Sequence, residues 1–268
     1  MKPVYLALTI AALAVTDKAT AHEFWIDPVD FTVAVGETLE ADLRVGQDFS
    51  GSPQSFLPRS FALSVVLNDG EVYRADGRLG DIPALSQDGL ADGLAIIVHQ
   101  TNSTELVWSE WERFLNFAEH KDLGDVTAMH EARNLSQENV TEDYIRYAKS
   151  LVAIGSGAGA DGRVGMRAEL VALVNPYTDS IAGGMPMQLW YDDALQPDYQ
   201  VELFAQSASG AVTVTYHRTN VDGVVVLPIQ PGMTYMADAV FLEAVEPTRP
   251  DDASWVTHWA NMTFSTAP

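Results

Sequence analysis

The stretch FALSVVLNDG at residues 61–70 joins an apolar, β-branched run to an Asn-Asp-Gly turn. Such a combination is typical of a β-strand that enters a tight hairpin turn. Upstream, FTVAV at 31–35 and LEADLRV at 39–45 are each followed by glycine. LAIIV at 94–98 is apolar throughout, as expected of a strand buried on both faces, and His99 follows it directly. The first part of the chain therefore predicts a small antiparallel β-sandwich.

Strand patterns return after residue 165 and continue almost to the end of the chain. They recur at intervals of about 8–12 residues, which is the spacing of a β-sandwich. The runs lie at 169–174, 187–191, 200–205, 212–217, 224–227, 235–242 and 259–264. Because strands and helices do not alternate, a parallel α/β fold is excluded. Residues 163–268 are expected to form a second sandwich after a first one at 22–162.

Between the two sets of strands the pattern becomes helical. The apolar residues of a first stretch share one helix face: Trp111, Phe114, Leu115 and Ala118. Ser109 and Glu112 have the spacing of a capping box at its start. A second stretch at 141–154 has apolar residues on one side and Thr141 as its expected N-cap. The predicted fold is mainly β: two Ig-like or prealbumin-like antiparallel β-sandwich domains, with a helical insertion at about 107–154 and a glycine-rich linker at 155–162.

The chain begins with the features of an export signal. Met1-Lys2 is a short basic start, residues 3–15 are an apolar run, and Ala19-Thr20-Ala21 is an A-x-A cleavage site. Residues 1–21 are therefore predicted to be a signal peptide, and the mature protein is expected to be periplasmic or secreted. No later apolar run approaches the roughly 20 residues of a membrane helix, so no span is expected after cleavage.

Composition narrows the classes of partner and site. The chain has 37 acidic and 15 basic residues, a formal net charge of −22. Such a surface repels nucleic acid, so no nucleic-acid partner is expected. The chain has no cysteine, which excludes disulfides and thiolate metal sites. Any metal would be held by histidine, carboxylate, methionine or backbone atoms.

Cleavage after Ala21 would make His22 the first residue of the mature protein. An N-terminal histidine is a metal chelator because its α-amine, with a pKa near about 8, and its ring nitrogen can bind one ion together. His99, at a strand end, and His120 and His130, in the insertion, are the candidates to complete a site for nickel, cobalt, copper or zinc. The alternative is that cleavage leaves an arbitrary residue and that the other histidines are surface or hydrogen-bonded structural residues. No organic cofactor is predicted.

Several short motifs occur in order along nearly the whole mature chain. They are HEFWIDP at 22–28, VGQDF at 45–49, YIRYAKSL at 144–151, NPY at 175–177, NVDG at 220–223, PG at 231–232 and WANMTF at 259–264. This order resembles the exported bacterial family called domain of unknown function 4198. The resemblance implies paired β-sandwich domains. Some relatives are labelled as periplasmic components of nickel or cobalt uptake systems, which implies a membrane metal transporter as partner. Phe241 stands where some relatives place a histidine, so the resemblance implies no ligand there.

No catalytic constellation is visible in the sequence. There is neither a Gly-x-Ser-x-Gly elbow nor a His-Glu-x-x-His helix. The predicted function is therefore non-catalytic binding of a divalent transition metal for an uptake or handling system. Two alternatives stay open. One is a structural or adhesive β-sandwich module that binds a protein or polysaccharide. The other is a periplasmic hydrolase, which predicts a cleft with carboxylates of perturbed pKa.

Overall fold

The structure is a computed structural model that describes residues 22–249 and 252–267. The predicted signal peptide at 1–21 lies outside the described residues. The described chain is mainly β, with antiparallel sheets in a sandwich-like arrangement and two short helices. No helix among the described residues has the length and apolar character needed to cross a membrane.

Strands fill both halves of the chain, as the alternating patterns predict. The first half contains β1 (Glu23–Pro28), β2 (Thr32–Val33), β3 (Leu39–Gln47), β4 (Ser50–Gln54), β5 (Phe61–Asn68), β6 (Glu71–Arg74), β7 (Leu85–Gln87), β8 (Gly93–Thr101), β9 (Thr104–Trp108), α1 (Trp111–His120), α2 (Val126–Ala132) and β10 (Val140–Ile154). The second half contains β11 (Ala168–Ala172), β12 (Met185–Tyr191), β13 (Ala194–Leu195), β14 (Gln200–Ser207), β15 (Val212–Arg218), β16 (Val224–Leu227), β17 (Met233–Ala244) and β18 (Trp255–Ser265).

One large sheet connects the two halves. Its strand order is β15-β14-β17-β18-β10-β8-β5-β6, with β2 and β9 also paired to β10. The central pair, β10 and β18, is parallel and joins residues 142–150 to 255–263. The sheet therefore crosses the predicted boundary between residues 162 and 163, so the two halves share one sheet.

Smaller sheets cover the two faces of the large sheet. β1-β3-β4 with β7 packs on one face, and β11-β12-β13 with β16 packs on the other. The alternation along β8 shows this arrangement, because Leu94, Ile96 and Val98 join one core while Ala95 and Ile97 join the opposite one. LAIIV is thus a strand buried on both faces, as its composition predicts.

The predicted helix over residues 141–154 is wrong, because this segment is the strand β10. Tyr147 and Leu151 face one core, whereas Ala148 and Val152 face the other. Burial of both strand faces produced an apolar pattern that imitates a helix face. Thr141 is consequently not an N-cap. The helical insertion is confined to α1 and α2, and α1 begins after Glu110 without a side-chain cap rather than at Ser109.

Two of the quoted motifs pack on each other at the start of the chain. VGQDF forms the end of β3 and its turn into β4, where a Cβ on Gly46 would lie 2.0 Å from the carbonyl oxygen of Ser50. A side chain is therefore excluded at this position. Phe49, in the turn, packs edge-on against Trp25 of β1 with 5.5 Å between ring centroids. The contact fixes β1 against the turn.

The glycine-rich segment at 155–162 is a loop without helix or strand, and side chains hold it in place. Asn175 Nδ2 donates to the carbonyl oxygens of Gly157 and Gly159, at 2.8 and 2.9 Å. Lys149, which is 0% exposed, lies 2.7 Å from Asp161 and 3.2 Å from Glu169. These buried contacts fasten the segment to β10 and β11.

Candidate functional site

A cavity of about 670 Å³ lies between the sheet that contains β1 and the large sheet. Its walls come from both layers and include Phe24 and Val45 on one side and Leu106, Trp108 and Trp259 on the other. Small-molecule sites in proteins usually measure about 300–1,000 Å³ and are mostly apolar with a few polar groups. The cavity has the size and composition of such a site.

The polar groups of the cavity come from alternate residues of β10. Glu142, Tyr144 and Arg146 line the cavity. Ala148 and Val152 continue the same strand face into the apolar core. Because side chains alternate along a strand, this single face changes from apolar to polar where the core gives way to the cavity.

Glu142 is a buried carboxyl whose oxygens are both hydrogen-bonded. It is 1% exposed and accepts bonds from Trp108 Nε1 at 2.7 Å and from Thr257 Oγ1. Burial raises the pKa of this carboxyl from 4.5 to about 7, although the two hydrogen bonds and the charge of Arg146 lower it. Near neutral pH the group is therefore divided between its protonated and ionised forms.

Arg146 has no carboxylate partner in the part of the chain that the structure describes. Its Nη2 donates to the carbonyl oxygen of His22 at 2.9 Å, and its Nε is buried without a hydrogen-bond partner. The guanidinium carbon lies 4.4 Å from the ring centroid of Tyr144 and 5.9 Å from that of Phe24. Burial lowers the pKa of Arg146 below its ordinary value, but a guanidinium stays charged in proteins.

His22 and His99 both line this cavity. His22 is exposed, whereas His99 is 2% exposed, with Nδ1 3.1 Å from Ser64 Oγ and its ring between Phe24 and Phe61. Burial lowers the pKa of His99 to about 3, so the ring is neutral at physiological pH. Neutral imidazole is the form that binds metal ions.

His120 belongs to a different group of side chains. Its Nε2 lies 3.3 Å from Glu202, and this hydrogen bond raises the pKa of His120 although burial opposes it. The adjacent Lys121 is 3% exposed and its Nζ lies 3.3 Å from Glu23, 2.8 Å from Glu202 and 3.3 Å from Asp238. We call these four residues the Lys121 cluster. Lys121 also lies over the ring of Trp259, at 5.0 Å, so the cluster borders the cavity wall.

His130 is enclosed in the aromatic core between the helices and the large sheet. It is 1% exposed, accepts a bond from Trp255 Nε1 at 3.2 Å through Nδ1, and has Nε2 3.0 Å from the carbonyl oxygen of Ser136. Both ring nitrogens are therefore occupied. His130 has a structural role in this arrangement, and its prediction as a metal ligand is not supported.

The two remaining histidines lie outside the predicted set. His258, on β18, is 1% exposed and contacts Tyr147 and Arg167. His217 has its Nε2 2.8 Å from Thr215 Oγ1. Hydrogen bonding accounts for both of them.

The four predicted ligands do not assemble into one site. Over residues 22–249 and 252–267, no group of three or more histidine, aspartate or glutamate side chains has an arrangement that could hold a metal ion. The physical reason is that the two helices carry these histidines to different places: His120 lies half-exposed beside Glu202, and His130 lies in the aromatic core against Trp255. Only His22 and His99, among the four, share the cavity.

Sequence reasoning missed Glu142 and Arg146 because their segment was interpreted as a helix. The signal was present in the alternation of Glu142, Tyr144 and Arg146, which places all three on one face of a strand. The Lys121 cluster had no comparable signal, since its members come from β1, β14, β17 and the residue that follows α1.

Comparison with known proteins identifies a family and distantly similar solved structures. A family model described as "Domain of unknown function (DUF4198)" matches residues 19–243. No curated protein matches the chain. A solved structure described as "Crystal structure of tetra-tandem repeat in extending region of large adhesion protein" is 13% identical with a TM-score of 0.20, and the alignment covers 90% of this chain and 49% of that chain. The chain spans about half the length of that neighbour, and the similarity is too low to assign a fold or a function.

Proposed function

The chain belongs to the DUF4198 family, and from this premise we propose that it is an exported, non-catalytic protein that binds a divalent transition metal ion. The ion would be nickel, cobalt, copper or zinc, and the protein would serve a metal uptake or handling system. His22 would hold the ion through its α-amine and ring nitrogen once cleavage after Ala21 frees the amine.

One observation carries this proposal: His22 is exposed at a cavity that also contains the imidazole of His99. The chelate at His22 needs a single residue, so it does not depend on His120 or His130. His99 is neutral and is a second imidazole that lines the same cavity. Water or a ligand within the cavity would supply the other donors, as at metal sites that keep open positions.

The charge of the protein supports a role in cation handling. A net charge of −22 raises the concentration of cations near the surface. For a periplasmic or secreted protein of this kind, the proposed partner is a membrane metal transporter, which would receive the ion.

The test is calorimetric titration of the mature chain, beginning at His22, with each of the four metal ions. A variant with one glycine added before His22 keeps every side chain but moves the free amine away from the ring, and should lose at least tenfold in affinity. His99→Gln should also weaken binding. His217→Gln, which changes a histidine outside the cavity, is the matched control and should bind as the mature chain does. Equal tight binding by the extended and mature chains would reject the chelate.

A second candidate function, a periplasmic hydrolase, has one observation in its favour. The cavity holds the buried carboxyl of Glu142 with a pKa of about 7, a value suited to general acid–base catalysis. Assays with chromogenic esters and glycosides would test it. Any activity that survives in Glu142→Gln would show that this carboxyl is not the catalytic group.

A further inference from the structure

We infer that the cavity contains a subsite for a small organic acid, in which the guanidinium of Arg146 binds the carboxylate of the ligand. The inference concerns a ligand other than the metal ion and does not depend on metal binding. It rests on the absence of a carboxylate partner for Arg146 among the described residues, on the position of Glu142, and on the lining of the cavity.

Arg146 differs from the comparable arginines of the chain in lacking an acidic partner. Four arginines of the described residues have a buried Nε without a hydrogen-bond partner. Three of them form ion pairs: Arg44 with Asp27 at 2.6 Å, Arg133 with Glu246 at 3.4 Å, and Arg163 with Asp193 at 2.8 Å. Arg146 has no carboxylate within 4.0 Å among the described residues. In a chain with 37 acidic and 15 basic residues, this absence is unexpected on composition alone.

Glu142 does not form an ion pair with Arg146, although both line the cavity. Its two oxygens accept hydrogen bonds from Trp108 and Thr257 instead. A partly buried cation without a paired anion costs free energy, and one that faces a cavity can recover this free energy from a bound anion. The described residues of the cavity therefore supply no anion in an ion pair with the guanidinium of Arg146.

Aromatic contacts orient the guanidinium for this role. Tyr144 lies 4.4 Å from it and Phe24 lies on the cavity wall at 5.9 Å. The remaining N–H groups of the guanidinium form a planar fork, which matches the two oxygens of a carboxylate.

The cavity wall favours an organic body behind the carboxylate. Leu43, Val45, Leu106 and Trp108 provide apolar surface, and Thr101 and Thr104 add hydroxyl groups. An inorganic anion would leave this apolar surface without contacts, whereas a small carboxylic acid can fill part of the 670 Å³.

The experiment compares acids with their neutral amides in the presence of EDTA. Benzoate with benzamide, and succinate with succinamide, are titrated into the mature protein and followed by calorimetry and ligand-observed NMR. At least one acid should bind ten or more times more tightly than its amide. Arg146→Gln should abolish this difference. Arg113→Gln should not, because Arg113 lines the same cavity but is paired with Glu110 at 3.2 Å.

The outcomes separate this inference from the metal proposal. The glycine-extended variant should bind acids normally even where it loses metal, so either proposal can fail alone. If Arg146→Gln does not fold, the affinities of the unmodified protein for each acid and its amide decide whether the subsite exists. Equal binding of every acid and its amide overturns the subsite. Inorganic phosphate that binds as tightly as the best acid overturns its assignment to carboxylates.

Discussion

Arg146 Nη2 donates a hydrogen bond to the carbonyl oxygen of His22, at 2.9 Å. The bond joins the residue expected at the mature N-terminus to the middle of β10, the strand at the centre of the large sheet. The position of the proposed chelating residue therefore depends on the side chain that we infer to bind a carboxylate. The metal and the organic acid would occupy adjoining parts of one cavity.

The first prediction follows from this bond. Arg146→Gln should weaken metal binding roughly fivefold in the absence of any organic acid, because a hydrogen bond worth about 1 kcal/mol no longer positions His22. Calorimetric titration of the mature variant with nickel measures the change. Arg113→Gln is the control, and an equal loss in both variants would indicate a general effect of cationic charge instead.

The second prediction concerns the Lys121 cluster. Lys121→Met leaves Glu23, Glu202 and Asp238 buried together without their shared cation, which should destabilise the fold by about 3–5 kcal/mol. Urea unfolding at neutral pH gives the free energy. Adding Asp238→Asn to the variant should restore part of the loss, since it removes one uncompensated charge. A loss below about 1 kcal/mol would show that the three carboxyls do not depend on Lys121.

The third prediction is a pH dependence set by Glu142. In the unfolded chain this carboxyl ionises near its ordinary pKa of 4.5, whereas in the folded chain it ionises near 7. As pH rises between these values the unfolded state releases its proton first, so stability falls, by about 3 kcal/mol in total above pH 7. Glu142→Gln should therefore gain stability relative to the unmodified protein at pH 8 and not at pH 4.5. Unfolding curves at both pH values test this, and a difference of the same size at both would refute the assignment.

The fourth prediction concerns the segment at 155–162. Lys149→Met removes the cation between Asp161 and Glu169, so the segment should loosen and the fold should lose about 3–5 kcal/mol. Hydrogen exchange followed by mass spectrometry should show faster exchange at 155–167 than at β5. Arg163→Gln, which alters a partly exposed neighbour of Glu169, should change exchange little. Unchanged exchange after Lys149→Met would mean that the other contacts of the segment, which include those of Asn175 and Asp92, are sufficient to hold it.

The local sequence pattern was sufficient to predict an element where neighbouring residues alone determine its structure. The run at 61–67 with its Asn-Asp-Gly turn predicted β5 and its hairpin with β6. The prediction was possible because the apolar pattern of the strand and the residues of the turn are consecutive in sequence. The helix at Trp111–His120 was likewise visible from its spacing. The sequence alone thus determined a mainly β protein with a helical insertion, and membership of its family was visible in the order of its motifs.

Tertiary structure decided the rest. Whether 140–154 is a helix or a strand depends on its burial between two layers, which the segment itself does not record. The parallel pairing of β10 with β18 joins residues more than a hundred positions apart and sets which side chains reach the cavity. His22, His99 and Arg146 line the same cavity because segments distant in sequence pack against each other there. Residue type states what a side chain can bind, but contacts between distant segments determine which side chains share a site.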